Sequence, residues 1–237
     1  MQTILAYNSR HFLFFMNKIS MALAIFDLDN TLLAGDSDYL WGQYLSEKGY
    51  VDADSYQRFN QDFYDQYLAG TMNIDAFLAF QLAPLALHAF DELIKWREDY
   101  LSSKIEPIML PAARSLIEQH KQQGDTLLII TATNDFITAP IAEKLGITNL
   151  IATKAEFIEG RYTGKVVDTP SYRQGKVTRL EKWLADNQQS LTDSYFYSDS
   201  HNDLPLLNLV DHPIAVDPDP QLHQFAEQAN WKIISLR

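Results

Sequence analysis

The segment Ala22-Leu-Ala-Ile-Phe-Asp-Leu-Asp-Asn-Thr-Leu-Leu33 constrains this chain more than any other. Its apolar run ends abruptly at Asp27, and the sequence then alternates into Asp29 and Thr31. An unbroken apolar run of this length fits a strand buried on both faces, as in parallel sheets covered by helices. Residues just past such a strand fall at the carboxyl edge of the sheet, where open α/β folds bind ligands. Two carboxylates one residue apart at that edge repel each other unless a proton or a cation intervenes. The pattern points to a magnesium-assisted site with one Asp as nucleophile and the other as proton carrier.

A chain of 237 residues has room for one large domain, or for a core carrying a smaller insert. A net charge of -12 without any basic stripe argues against nucleic acid as a partner. The absence of Cys excludes a disulfide framework, a Cys-ligated zinc site and a thiol nucleophile, and it fits a cytoplasmic location. No apolar stretch approaches the ~20 residues that span a membrane. Residues 1–20 read as an N-terminal extension of unassigned role. Their apolar patch, Arg10-His-Phe-Leu-Phe-Phe-Met16, is shorter than a secretory core and lacks a small-residue cleavage site. Met21, directly before the first strand, makes a sensible alternative start.

From residue 36 to residue 104 the texture becomes helical and aromatic. Leu40, Trp41, Tyr44 and Leu45 form one stripe, and Tyr56, Phe59, Phe63 and Tyr67 form another at three-to-four-residue spacing. Gly70 is a stop, Asn73 caps a third helix bearing Ile74, Phe77, Leu78 and Leu82, and Leu93, Trp96 and Tyr100 indicate a fourth. Strand–helix alternation then resumes. Pro111 opens a helix, Thr126-Leu-Leu-Ile-Ile130 is a second buried strand, and the next helix ends at Leu145 before Gly146. Residues 155–167 read as a hairpin turning at Glu159-Gly160. A helix covers residues 176–187, and Tyr195-Phe-Tyr197, Ile214-Ala-Val216 and Ile233-Ile234 supply further strands. The expected fold is an α/β, doubly wound, mainly parallel sheet with a helical cap inserted after the first strand. Residues 21–35 and 105–237 form the core, and 36–104 the cap.

Chemistry-bearing residues recur at element ends. Asp27 and Asp29 follow the first strand, and Thr131 follows the second. Lys176 opens a helix, and Asp199 and Asp203 follow the Tyr195-Phe-Tyr197 strand. In a parallel sheet these positions converge on one crevice. A carboxylate nucleophile, a hydroxyl and a Lys for phosphate oxygens, and further carboxylates for magnesium make a phosphoryl-transfer site.

The ordered set Asp27-x-Asp29-x-Thr31, Thr131, Lys176 and Asp199-x-x-x-Asp203 resembles the four motifs of the haloacid-dehalogenase-like phosphatases. A helical insert directly after the first motif resembles their phosphoserine-phosphatase-like branch, subfamily IB. The resemblance covers residues 21–237. Glu159-Gly-Arg-Tyr-Thr-Gly164, Ile214-Ala-Val-Asp-Pro-Asp-Pro220 and Ile234-Ser-Leu-Arg237 resemble a bacterial group that contains histidinol-phosphatases. The family implies that Asp27 attacks phosphorus to form an aspartyl-phosphate. Asp29 then protonates the leaving alkoxide and later activates the hydrolytic water. It implies Mg2+ held by the Asp27 side chain, the Asp29 carbonyl and Asp199, with Asp203 supporting the metal site or orienting Lys176. Thr131 and Lys176 would bind phosphoryl oxygens, helped by Asn202. Asp29 also narrows the class, because P-type ATPases of this superfamily carry Thr there and a haloacid dehalogenase lacks the acid. A phosphatase or a phosphomutase follows.

In the phosphoserine phosphatases an acid nine positions after the nucleophile binds the substrate amine, and Asp36 stands at that spacing. That family also has a cap Arg for the substrate carboxylate. Aligning on Gly70 places Ala79 there, with Arg58 and Arg97 as possible replacements. A buried carboxylate with no cationic partner costs several kcal/mol. The implied substrate therefore has an amine and no carboxylate, as histidinol phosphate does. Its imidazole would stack on a cap aromatic among Tyr39, Trp41, Tyr44 and Phe80, with Asp36 or Asp38 on a cationic nitrogen. Phosphoserine or a broad range of small phosphate esters stays open. The expected partner is a small-molecule ester alone, bound by a monomer or a homodimer.

Overall fold

The computed structural model describes residues 21–237; the N-terminal extension, residues 1–20, lies outside them. Strands β1 (Leu23–Phe26), β2 (Thr126–Asn134), β3 (Asn149–Ile158), β4 (Arg161–Val167), β5 (Tyr195–Ser198), β6 (His212–Val216) and β7 (Lys232–Ile234) form one sheet. Their order is β4-β3-β2-β1-β5-β6-β7. Every pairing is parallel except that of β3 with β4. β1 is therefore central, and its carboxyl end meets those of β2 and β5. The order reverses at β1, the point where such sheets open a crevice.

β1 reads as an unbroken apolar run because both of its faces are buried. Ala24 and Phe26 belong to one core and Leu23 and Ile25 to the other. The second core packs β1 and β2 against Val177 and Leu180 of α7 (Gln174–Asn187). The first holds Ile129 with Ile137 and Ile141 of α6 (Asp135–Leu145) and Ile117 of α5 (Pro111–Gln123). It also holds Trp41, Tyr44, Tyr56, Leu82, Leu93 and Tyr100.

Those last residues come from four consecutive helices between β1 and α5: α1 (Ser37–Glu47), α2 (Ala53–Leu68), α3 (Ile74–Leu87) and α4 (Phe90–Tyr100). Asp36, Asp52 and Asn73 cap the first three, each carboxylate or amide oxygen accepting a main-chain N–H of the opening turn. The helical backbone runs on past α4 through residues 101–108, first as a wide turn and then as a tight one. The chain leaves and returns through two adjacent linkers, joined by the Leu33–Met109 bridge and by the Ala34 N–H donating to the Ile108 carbonyl. No single helix among the described residues is long and apolar enough to cross a membrane.

Two expectations need correction. The hairpin strand starts at Asn149, not at residue 155: its first half pairs in parallel with β2 and only its second half turns back against β4. The second strand continues past Ile130 to Asn134, with a register break between those residues. Periodicity missed both because the strand ends are polar and their pairing is irregular.

Candidate active site

The first-strand acids sit where the topology predicts. The Asp27 N–H donates to the Tyr197 carbonyl, and its side chain is only 6% exposed. Lys176, in the first turn of α7, donates to Asp27 Oδ1 at 2.7 Å and to Asp203 Oδ2 at 2.8 Å. Ser198 Oγ donates to Asp203 Oδ2 at 2.7 Å. Thr31 ties the β1 loop to the β5 loop. Its hydroxyl donates to Asp199 Oδ1 at 3.0 Å and accepts the Asp199 N–H at 3.1 Å.

Asp29 is held from three sides. The Ser37 N–H donates to its Oδ1 at 2.6 Å, Thr133 Oγ1 to its Oδ2 at 2.9 Å, and Thr131 Oγ1 to the same oxygen at 3.3 Å. Thr133 was missed in the sequence, yet it lies two residues from Thr131 on the same strand face. The irregular end of β2 turns both hydroxyls to one carboxylate.

Three buried carboxylates, Asp27, Asp199 and Asp203, gather at the sheet edge, and Lys176 pairs with two of them, Asp27 and Asp203. Burial pushes the Asp27 carboxyl up to about 8; Lys176 pulls it down, while Asp203 and Asp29 push it further up. Burial and the charges of Asp27 and Asp203 also hold Asp199 well above the usual carboxylate range. Burial works to lower the Lys176 pKa, but Asp203 and Asp27 outweigh it and keep the ammonium charged. A bound cation would favour the ionised form of these carboxylates. Among the described residues no group of three or more His, Cys, Asp or Glu side chains is placed to hold a metal. A hard cation that keeps several waters needs only one or two carboxylates and a carbonyl, which Asp27, Asp199 and the Asp29 main chain offer.

Beside Asp27 lies a partly open cavity. Asp27, Asp29, Asp36, Thr131, Thr133 and Lys176 reach it from the sheet edge and the start of α1. Asp38, Tyr39, Tyr64, Tyr67, Phe77 and Gln81 line it from α1, α2 and α3. Asp36 is engaged as a helix cap, accepting from the Tyr39 N–H at 2.8 Å. Burial and the charge of Asp29 push its carboxyl up to about 7. Burial, then Asp36 and Asp29, push Asp38 well above the usual range.

Other expected residues are placed differently. Asn202 does not line the cavity. Its amide donates to the Tyr67 carbonyl and Ser200 Oγ, and its carbonyl accepts from Tyr172 and Arg173, so it braces α2 against the sheet edge. Asp199 and Asp203 do not line the cavity themselves; Asp199 is bonded to Thr31, and Asp203 to Lys176 as expected of a residue that orients it. Ala79 is exposed on α3; the neighbouring positions that face the cavity are Phe77 and Gln81. Arg58 lies on a separate surface groove, and Arg97 donates to the Phe136 carbonyl with its guanidinium 4.7 Å above that ring. Of the proposed stacking aromatics, Tyr39 lines the cavity, whereas Trp41 and Tyr44 are in the core and Phe80 packs on Tyr56 and Phe63. His201 is a structural residue, its ring Nδ1 2.7 Å from Asp219.

A parallel sheet that brings two acids and a buried Lys to one switch point suits a phosphoryl-transfer hydrolase. The haloacid dehalogenase-like hydrolase family matches residues 24–208, and the chain belongs to that family as a phosphoric monoester hydrolase. It is 46% identical to a histidinol-phosphatase of Neisseria meningitidis serogroup C (strain 8013), over 91% of this chain and 99% of that protein. A crystal structure of a protein of unknown function from Bordetella pertussis Tohama I is 43% identical, with a TM-score of 0.86 over 91% of this chain and 99% of that one. A substrate-bound phosphoserine phosphatase shares the fold at 18% identity, with a TM-score of 0.68 over 91% of this chain and 93% of that one.

Proposed function

We propose that this chain is a Mg2+-dependent phosphatase that hydrolyses histidinol phosphate through an aspartyl-phosphate. The observation that carries the substrate choice is the cavity lining. It contains four carboxylates, several aromatic rings and one cation, Lys176, already bonded to Asp27 and Asp203. Such a lining suits a cationic, ring-bearing ester and leaves a substrate carboxylate without a partner. The 46% identical histidinol-phosphatase supports the same reading.

Asp27 and Asp199, with the Asp29 carbonyl, would hold the ion, which supplies positive charge to phosphoryl oxygens and keeps Asp27 ionised. Asp27 attacks phosphorus, and Asp29 gives its proton to the departing alkoxide oxygen. Asp29, now a carboxylate, takes a proton from the water that cleaves the acyl phosphate; phosphate leaves and Asp27 is restored. Lys176 and Thr131 bind phosphoryl oxygens, and Asp203 and Ser198 fix Lys176. Residues 36–104 act as a cap over a core of 21–35 and 105–237, excluding water while the ester reacts.

Thr133 positions the acid. Thr133→Val removes the 2.9 Å bond to Asp29 and should lower kcat about tenfold with KM little changed, while Thr133→Ser retains activity. Steady-state kinetics on the preferred ester checks this.

The deciding experiment is phosphate release from histidinol phosphate and phosphoserine, side by side, with Mg2+ and with EDTA. The expected result is Mg2+-dependent cleavage, with kcat/KM at least about 100-fold higher for histidinol phosphate, the penalty for an unpaired buried carboxylate. A preference for phosphoserine would overturn the substrate assignment and require a cation that moves into the cavity. Undiminished turnover in EDTA would overturn the metal.

A further inference from the structure

Seven buried side-chain polar atoms among the described residues have no hydrogen-bond partner. Two of them belong to residues lining the cavity: Asp38 Oδ1 and Gln81 Oε1. Both are acceptors, on side chains 5% and 2% exposed. Leaving such atoms unmet costs stability, so they persist where a ligand meets them.

The orientation of Gln81 is dictated by a relay. Asn60 Nδ2 donates to the Tyr39 carbonyl at 2.9 Å, which turns Asn60 Oδ1 toward Gln81. That oxygen accepts Gln81 Nε2 at 3.2 Å. Flipping either amide would set two acceptors or two donors against each other. The amide atom of Gln81 left with no partner is its oxygen. Asp38 is fixed by the opening turn of α1, where Asp36 caps the helix and the Ser37 N–H is bonded to Asp29. One end of the cavity thus holds the acid Asp29, and the helical side offers two unmet acceptors on α1 and α3.

We propose that Asp38 and Gln81 form the acceptor pair that receives the N–H donors of the substrate's head group. The pair selects donor-bearing phosphate esters over esters that lack such donors. The inference rests on the phosphatase reading above and narrows its substrate class. Asp36, already spent on the α1 cap, is then a secondary charge rather than the main contact.

The test measures kcat/KM of wild type, Asp38→Asn, Gln81→Met and Gln81→Glu on histidinol phosphate, phosphoethanolamine and p-nitrophenyl phosphate. The readout is the ratio of the preferred donor-bearing ester to p-nitrophenyl phosphate. Asp38→Asn and Gln81→Met should each lower that ratio about 10- to 100-fold, mainly through KM, and Gln81→Glu, which sets an oxygen against Asn60 Oδ1, should not restore it. Asp38→Asn and Gln81→Met approximate the volume of the native side chain, and Gln81→Met tests the pair even where Asp38→Asn fails to fold. An unchanged ratio would overturn the proposal, since water would then satisfy both atoms. If wild type rejects histidinol phosphate but prefers phosphoethanolamine, the substrate assignment falls and the pair is judged on phosphoethanolamine. If wild type prefers neither over p-nitrophenyl phosphate, the pair falls too.

Discussion

Asp27→Asn abolishes turnover of every phosphate ester, by roughly 10⁴-fold or more, and leaves the fold intact. An amide oxygen cannot displace an alkoxide at phosphorus, whereas Asn has nearly the volume of Asp and still accepts from Lys176. The stability change has a sign. Folded Asp27 binds its proton more tightly than in the unfolded chain, about 8 against the ordinary 3.8. Wild type in EDTA therefore loses stability as pH rises from about 4 to about 8, and the variant loses less, by the Asp27 share. The Tm difference, Asn over Asp, should widen across that window and shrink again when Mg2+ is added to wild type. Thermal melts at stepped pH, beside phosphate release, check both halves. Retained activity would remove Asp27 from the chemistry.

Lys176→Met carries the second large effect, on stability and activity together. The ammonium is 3% exposed and bridges Asp27 and Asp203. Removing it leaves two buried carboxylates with no cation, a loss of about 3–5 kcal/mol, or roughly 6–20 °C in Tm for a chain of this size. The deficit should grow as pH rises, because without Lys176 the carboxyls hold protons in the folded chain that they release when it unfolds. Adding Asp203→Asn to the variant should recover part of the Tm and none of the turnover. Full recovery of turnover would show that Lys176 serves only the fold.

Most of the site was legible in the sequence because its parts stand at fixed places relative to elements with strong patterns. An apolar run buried on both faces can only be an inner strand, so Asp27 and Asp29 had to emerge at the sheet edge. Thr131, Lys176, Asp199 and Asp203 follow or open elements of the same kind. The residues that escaped notice act through contacts between elements far apart in sequence. Thr133 reaches Asp29 across 104 positions; Asn202 stood out in the sequence, but its contact to Tyr67 across 135 positions did not. Nothing local marks either. Ala79 failed for a related reason: helical spacing tells which residues share a face, but not which face turns to the sheet.

The sequence by itself determined the class, since strand patterning fixes which residues share an edge and their chemistry does the rest. Tertiary structure alone decided which residues line the cavity. The cavity is closed by helices whose faces are set by packing in a shared core, with Trp41 and Leu82 inside and Tyr39, Phe77 and Gln81 turned to the acids. Which polar atoms remain unmet there depends on a relay through Asn60. Hydrogen-bond partners are exclusive, and only the assembled fold assigns them.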